Sequence, residues 1–242
     1  VASDLAGNTV RAARAVVFDF RPPGRLGFTL TPEFARAGTT ALINVLADEP
    51  LSQPPVLDWM GDDPGFVYSS TASTQLSHVF VLQVADTDDE RTYDLDGIEL
   101  VDLTGNTSYF SEPHRFTTDS RQPSIGNLTV VAAGAPSTQP ARIRMGTALD
   151  VEFDVIEGFA PSVAATVANS ELACTRSSIS TSLHRYACRL LASGQQAQFG
   201  EEVRTTLRIE VEDPSGNVDE ASAPIVFDYA PPTVVERSVE VT

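Results

Sequence analysis

Asp102-Leu103-Thr104-Gly105-Asn106 is the stretch that decides the fold, because related pentapeptides occur at two other places in the sequence. The other copies are Asp4-Leu5-Ala6-Gly7-Asn8 and Asp213-Pro214-Ser215-Gly216-Asn217. In every copy a phenylalanine follows the aspartate at the same distance, namely Phe18, Phe116 and Phe227. A short motif with a follower at a fixed offset indicates an internal repeat, so the chain is predicted to consist of repeated structural units.

The chemistry of the pentapeptide is that of a tight turn between two strands. Its aspartate can accept hydrogen bonds from backbone amides two residues further on, its glycine permits positive φ, and its asparagine tolerates the left-handed region. The segment Leu207–Glu212 before the third copy alternates apolar and charged residues, as a half-buried strand does. We therefore predict that the motif joins the last two strands of a domain of about 100 residues, the usual size of an immunoglobulin-like sandwich.

A second register supports the same repeat. Gly38-Thr39 and Gly146-Thr147 each introduce a strand, and Glu49 and Glu157 follow these dipeptides at equal distances. Few segments carry helical periodicity, so the fold class is predicted to be all-β, with tandem immunoglobulin-like β-sandwiches and partial flanking domains at both ends. Proline-rich linkers separate the predicted domains. The segments are 1–22, the C-terminal end of a preceding domain; 23–121 and 122–230, two complete domains; and 231–242, the start of a following domain.

Composition restricts the partners that the chain can bind. The hydrophobic fraction of 42% is enough for packed cores, and the formal net charge is −17. Nucleic acids and anionic membranes both bind basic surfaces, so neither is predicted as a partner. No apolar run approaches the length of a membrane helix, so no membrane insertion is predicted for this segment.

Cys174 and Cys188 lie close together between two strand-like runs, so a disulfide across a hairpin is easy to form. The alternative is two independent buried thiols in a reducing compartment. An acidic, secreted β-repeat favours the disulfide, which we predict. A metal site at this pair lacks ligands, since only His184 is near in the sequence.

Nothing in the sequence predicts an enzyme. The three histidines, His78, His114 and His184, have no aspartate, cysteine or serine partner at a recognisable spacing. Motifs for a serine nucleophile, a zinc protease or a phosphate-binding glycine loop do not occur in the sequence. A catalytic site assembled from residues far apart in the chain stays open as an alternative.

Together, the repeated features resemble the bacterial immunoglobulin-like (Big-type) repeats of surface adhesins, lipoproteins and S-layer-associated proteins. The resemblance rests on the Gly-Thr dipeptides, the alternating strands, the glutamates that precede hydrophobic residues and prolines, the Asp-x-x-Gly-Asn motif and the proline-rich exits. It covers nearly the whole chain. It implies domains packed end to end, a role as a spacer or stalk, and export to the cell surface, the extracellular space or the periplasm.

Topology predicts that carboxylates from separate segments meet at each joint between domains. Two loops of a sandwich return to the pole at which the incoming linker arrives, and all three segments carry acidic residues. Calcium binds about six to eight oxygen ligands, and related adhesin repeats are stiffened by calcium in this way. The candidate ligands are Asp19, Glu49 and Asp102 at one joint, and Asp119, Glu157 and Asp213 at the next. The alternative is that Asp102 and Asp213 only cap their turns and that the others are solvated.

The acidic loop Asp86–Glu90 is predicted to be a solvated connection, because it lacks the glycine that an EF-hand turn needs. Apart from calcium at the joints, no cofactor is predicted.

The leading functional hypothesis is a structural or adhesive extracellular module, a segment of a rod or filament of tandem immunoglobulin-like repeats. Its partners would be neighbouring domains of the same polypeptide or copies of itself through exchanged strands, together with a cell-surface or protein ligand. One alternative is a module that binds a glycan or protein through the loops Trp59–Gly65 or Asp86–Glu90. Another is a non-catalytic appendage of a secreted enzyme.

Overall fold

The computed structural model describes residues 1–13, 18–86, 90–132 and 140–233. Every regular element in these residues is a β-strand, and none of them forms a helix that is long and apolar enough to cross a membrane. Most of the acidic loop Asp86–Glu90, and most of the predicted start of a following domain at 231–242, lies outside the described residues. The strands are β1 (Ala2–Ser3), β2 (Thr9–Val10), β3 (Arg25–Thr31), β4 (Phe34–Ala35), β5 (Thr40–Ala47), β6 (Val56–Trp59), β7 (Val67–Tyr68), β8 (Ser77–Gln83), β9 (Arg91–Val101), β10 (Thr107–Thr118), β11 (Ser124–Ala132), β12 (Ala141–Ile143), β13 (Ala148–Ile156), β14 (Ser162–Val167), β15 (Ser170–Glu171), β16 (Ala173–Ser178), β17 (Leu183–Leu191), β18 (Glu202–Glu212) and β19 (Val218–Asp228).

Contacts divide the chain into two compact units, each with its own hydrophobic core. The first unit consists of Val1–Glu33, Thr40–Gln83 and Thr92–Phe116. The second unit consists of Phe34–Thr39, Val84–Arg91 and Thr117–Thr242.

Strands β3 to β10 form the first sandwich. One of its sheets has the order β3-β5-β8-β7 and the other has the order β4-β10-β9-β6. The short strand β4 runs parallel to the end of β10, so the opening segment of the sandwich is divided between the two sheets. This order is that of an immunoglobulin-like sandwich. The buried residues of its core are Ile43, Val45, Ala47, Phe80, Ile98 and Leu100.

Strands β11 to β19 form the second sandwich with the same arrangement. Its sheets have the orders β11-β13-β17-β16 and β12-β19-β18-β14-β15, and β12 runs parallel to β19. Only the short strand β15 at the end of one sheet has no counterpart among the described strands of the first sandwich. The fold is therefore all-β, with tandem immunoglobulin-like sandwiches, as predicted.

Alternation in the sequence explains the position of the central strands β5 and β13. In β5 the small and branched residues Ala41, Ile43, Val45 and Ala47 are fully buried, and the residues between them point to the opposite face of the sheet. The core-facing residues of β13 are Leu149, Val151, Phe153 and Val155, each at most 1% exposed. Burial of each large apolar side chain contributes about 1.5–3 kcal/mol, so this alternation fixes which face turns inward.

Prolines in the last strand of each sandwich lie next to the short parallel pairing. Pro113 precedes Thr117, which pairs with Phe34 of β4, and Pro224 directly precedes Ile225, which pairs with Ala141 of β12. A proline cannot donate to a ladder, so it fits where a strand has no neighbour on that side.

A disulfide joins Cys174 of β16 to Cys188 of β17, as the sequence spacing predicts. The two cysteines lie directly opposite each other on neighbouring strands, with a sequence separation of 14. For a loop of this length the chain-entropy model gives a stabilisation of the folded state of about 3 kcal/mol.

The matching cross-strand pair in the first sandwich is Tyr68 opposite Phe80, whose rings meet edge to face with centroids 5.5 Å apart. The same strand pair is therefore held by a covalent bond in one sandwich and by an aromatic contact in the other.

Gly97 allows a close approach of β9 and β10. A Cβ atom at this position would overlap the ring of Tyr109 and would lie 2.7 Å from the carbonyl oxygen of Phe110. The phenol oxygen of Tyr109 lies 3.0 Å from Asp58 Oδ2 and 3.1 Å from Asp96 Oδ2. A glycine is needed here so that the tyrosine ring can lie across the strand.

We expect Gly97→Ala to lower the free energy of unfolding by about 1–3 kcal/mol, because the backbone oxygen of Phe110 cannot move aside as a flexible side chain could. The matched control is Gly126→Ala in β11, where nothing lies within 4 Å of an added Cβ. Urea unfolding of the two variants measures the difference, and an equal effect of both would contradict the steric argument.

Candidate metal centres

The repeated pentapeptide forms the same turn in all three places. The glycines Gly7, Gly105 and Gly216 have φ values of 83°, 91° and 84°. In the second copy Asp102 Oδ1 accepts hydrogen bonds from the backbone nitrogens of Thr104 and Asn106, both at 2.8 Å. In the first copy, between β1 and β2, Asp4 Oδ1 accepts the corresponding bonds from Ala6 and Asn8. The sequence motif therefore predicts a defined backbone structure.

The asparagine of the motif has a function that the sequence interpretation missed. Asn106 and Asn217 do not have positive φ, so the tolerance of asparagine for the left-handed region is not used in these turns. Instead, the side-chain amide of Asn217 donates to Asp213 Oδ2 at 2.8 Å and to the backbone oxygen of Asp119 at 2.9 Å. Each asparagine thus ties an incoming linker to a turn.

The first unit has the same pair of hydrogen bonds at its own linker. The side-chain amide of Asn106 donates to Asp102 Oδ2 at 2.7 Å and to the backbone oxygen of Asp19 at 3.2 Å. In both linkers the carboxylate then accepts from the backbone two residues later, at 3.1 Å from Arg21 and 3.1 Å from Arg121. The two aspartates are therefore held in the same local conformation.

The six residues predicted as calcium ligands lie in two clusters, one in each unit. Asp19, Glu49 and Asp102 each offer an oxygen atom, and these atoms lie within 4.8 Å of one another. Asp119, Glu157 and Asp213 form the second cluster under the same limit.

Burial distinguishes the two clusters. In the second one the three carboxylates are 4%, 7% and 4% exposed, whereas in the first only Asp102, at 1%, is buried to that extent. No salt bridge between described residues involves any of the six. Negative charge is thus concentrated at two places that have no salt bridge among the described residues.

Burial, together with the proximity of like charges, raises the pKa of one carboxyl group in each cluster. Burial raises the pKa of Asp119 to about 6, and repulsion by Asp213, Glu157 and Glu90 acts in the same direction, against a hydrogen bond from the Arg121 backbone. Burial, followed by repulsion from Asp19, Asp102 and Asp48, raises the pKa of Glu49, against the attraction of the Arg21 guanidinium.

The turn aspartate of the first unit behaves differently from Glu49. Burial acts to raise the pKa of Asp102, but hydrogen bonds from Asn106 and Thr104 outweigh it and lower that pKa. Asp102 therefore keeps its negative charge next to the neighbouring carboxylates.

The donor atoms in both clusters fit a hard divalent cation. Three carboxylates supply up to six oxygen atoms, and calcium accepts carboxylates in either monodentate or bidentate mode, with water completing the shell. Neither cluster contains the sulfur or imidazole ligands that zinc prefers. The clusters could hold calcium, and the turn-capping role of Asp102 and Asp213 is compatible with it because each carboxylate oxygen has two lone pairs.

No family model matches the chain, and a search of the curated proteins finds no match. Among solved structures, the chain is similar to an I-band fragment from titin, with 10% identity and a TM-score of 0.46 over 86% of this chain and 66% of that fragment. It is similar to murine CEACAM1b, with 13% identity and a TM-score of 0.40 over 82% of this chain and 97% of that one. It is also similar to the tandem Ig repeats of Dlar, with 11% identity and a TM-score of 0.28 over 86% of this chain and 98% of that one. The immunoglobulin-like assignment rests on the strand order and not on these similarities.

We expect Asn217→Ala to lower the free energy of unfolding by about 1–3 kcal/mol, because it removes the amide that donates to buried Asp213 Oδ2 and to the Asp119 carbonyl oxygen. Asn8→Ala is the matched control, since it removes the same amide from an exposed copy of the turn and is expected to change stability by less than about 0.5 kcal/mol. Denaturant unfolding compares them, and an equal loss in both variants would contradict the role of the linker contact.

The raised pKa of Asp119 predicts a pH dependence in the absence of divalent cations. Its ordinary value is 3.8 and its folded value is about 6, so the folded state binds the proton more tightly than the unfolded state. The stabilisation is complete below the ordinary pKa and is lost as the pH rises through the folded pKa. Unfolding measured in chelator across this range should show the loss, and Asp119→Asn should reduce it. An unchanged pH profile in the variant would contradict the assignment.

Proposed function

We propose that the chain is a structural or adhesive module of an exported bacterial protein, a segment of a rod or filament of tandem immunoglobulin-like repeats. In this proposal calcium binds at both carboxylate clusters. The observation that supports it most directly is the recurrence of one arrangement in two units, in which the same turn, linker and glutamate bring three carboxylates together.

The position of each cluster explains what bound calcium would do for a rod. Asp19 belongs to a linker, Glu49 to a loop between strands and Asp102 to the turn before the last strand, so one ion would join three segments that are far apart in sequence. Such a crosslink restrains the linker at the point where it enters the sandwich. Extracellular modules bind calcium with dissociation constants of about 10⁻⁴–10⁻³ M, which suits an external environment.

Export is supported by the covalent bond in the second unit. Disulfides persist in oxidising compartments and are rare where thiols are kept reduced. The Cys174–Cys188 disulfide encloses a short hairpin and leaves no free cysteine in the chain. We place the protein at the cell surface or in another exported location.

The alternative of a glycan-binding loop at Trp59–Gly65 receives less support from the structure. The ring of Trp59 stacks on Phe66 with centroids 5.9 Å apart, and its indole nitrogen is buried. Trp59 also packs against the core of the first sandwich. Its ring is therefore only partly exposed, and it already stacks on Phe66.

Calcium is expected to raise the melting temperature relative to chelator. At a free calcium concentration of about 100 times the dissociation constant, binding stabilises the folded state by about 2.7 kcal/mol. The increase should be smaller below the raised pKa of Asp119, because protons compete for the same carboxylate. Glu157→Gln should reduce the increase, whereas Glu220→Gln is a control with the same charge change at an exposed position.

Limited trypsin digestion gives a local measurement of the same proposal. Arg121 follows the second linker aspartate and its side chain is 77% exposed, so cleavage after it reports on the linker. Calcium should slow this cleavage in the natural chain and not in Asp119→Asn. Identical melting and cleavage in calcium and in chelator would overturn the calcium proposal.

A further inference from the structure

One outer sheet face of the first unit carries no charge. The sheet β3-β5-β8-β7 turns one side to the core and presents alternate residues on the other. On that outer side Leu42, Leu46 and Val67 are 39%, 37% and 69% exposed. None of the outward residues is charged, although the chain has a net charge of −17. They are Thr29, Thr31, Thr40, Leu42, Asn44, Leu46, Val67, Ser77, Val79, Val81 and Gln83, and we call them the neutral face.

The second unit shows that this face is not a requirement of the fold. At the positions of β13 that match Leu42, Asn44 and Leu46, counted from the Gly-Thr dipeptides, stand Asp150, Glu152 and Asp154.

Ion pairs cover the sheet at those positions of the second unit. Asp154 Oδ1 lies 2.8 Å from Arg185 Nε, and Asp150 Oδ1 lies 3.5 Å from Arg189 Nε. In the first unit the corresponding cross-strand pairs are Leu46 opposite Ser77 and Leu42 opposite Val81. The second repeat therefore has a solvated, charged face, and the first repeat has apolar and uncharged residues at the same positions.

Four polar side chains of the neutral face form two hydrogen-bonded pairs. Thr40 Oγ1 donates to Gln83 Oε1 at 2.6 Å, and Ser77 Oγ donates to Asn44 Oδ1 at 2.9 Å. A polar group costs free energy on burial when it lacks a hydrogen bond. A second surface could therefore cover these pairs, and the hydroxyl groups of Thr40 and Ser77 would keep their acceptors.

Charge indicates which partner fits. A basic partner would be attracted to the acidic remainder of the chain and would gain nothing from a surface without carboxylates. Two copies of this chain repel each other through their net charge of −17, so a contact through a surface without carboxylates carries the least repulsion. We propose that the neutral face is a homotypic contact, in which the sheet of one copy packs face to face on the same sheet of a second copy.

The size of the face predicts a weak contact. Three strands of seven or eight residues and the two-residue strand β7, about 4.8 Å apart, cover roughly 400 Å² per copy. Two copies together bury about 800 Å², which is below the roughly 1,200 Å² of stable interfaces. Such a contact becomes effective when several copies of it act together, as they would along neighbouring filaments of the kind proposed above. The inference goes beyond the proposed function, because it names a lateral partner and requires no calcium.

Sedimentation equilibrium of the whole chain in chelator tests the proposal. The weight-average mass should rise above 25.9 kDa as the protein concentration approaches about 1 mM, where an association of about −4 kcal/mol is half populated. Added salt should strengthen the association, because it screens the repulsion between two acidic copies. A salt-weakened association would contradict an apolar contact.

The double variant L42D/V81R transfers the Asp150–Arg189 pair of the second unit to the neutral face without changing the net charge. It should remain at the monomer mass. The matched control T175D/A187R introduces a similar pair at exposed, opposite positions of β16 and β17 and should associate as the natural chain does. Val67→Arg on the edge strand β7 is a second disrupting variant, for use if circular dichroism shows that the first does not fold.

Two results would overturn the proposal. The first is that the natural chain stays at the monomer mass at every protein concentration. Any partner of the neutral face would then be a different molecule. The second is association of L42D/V81R or Val67→Arg that equals that of the natural chain, which would place the contact elsewhere. Because the measurement is made in chelator, neither result bears on the calcium proposal.

Discussion

Two hydrogen bonds from the side-chain amide of Asn217 connect the incoming linker of the second unit to its turn, and the carboxylate cluster depends on this connection. Asn217 is 5% exposed and donates both to the carboxylate of the turn and to the backbone of the linker. Since the linker aspartate is fixed by that contact, its carboxylate stays beside two others, although like charges in a buried place repel. The amide offsets part of this repulsion at Asp213 and leaves the cluster negative. The position of the linker and the electrostatics of this carboxylate cluster therefore depend on the same side chain.

Much of this arrangement could be predicted because it depends on periodic features of the sequence. Alternation identifies β5 and β13, and the equal offsets of Glu49 and Glu157 place both glutamates in the same loop of the repeat. The topology of a sandwich then brings those loops to the linker. The six acidic residues could be grouped for this reason, without knowledge of any distance. Their ability to bind an ion does not follow from grouping, because turn aspartates are common without one.

Other features could not be read from the sequence because they depend on contacts between distant side chains. The motif asparagine was interpreted through its backbone preference, and its contact with a linker more than eighty residues away leaves no local pattern. The division of the opening segment into β3 and β4 depends on which sheet each half joins. The alternation of β5 shows that Leu42 lies on the outer face of its sheet. The absence of charge there becomes informative only because Asp150 occupies the same place in the second sandwich.

The placement of the disulfide has a mechanical consequence. It joins adjacent strands of one sheet and does not connect the two sheets, so a force that pulls on the chain ends can still separate the sheets of the second sandwich. The disulfide prevents only the segment between Cys174 and Cys188 from extending. The fully stretched chain is therefore shorter by about 50 Å, at about 3.5 Å per residue. Most of the unit therefore remains available to lengthen under load. The covalent bond therefore keeps one hairpin closed even when the rest of the unit is extended.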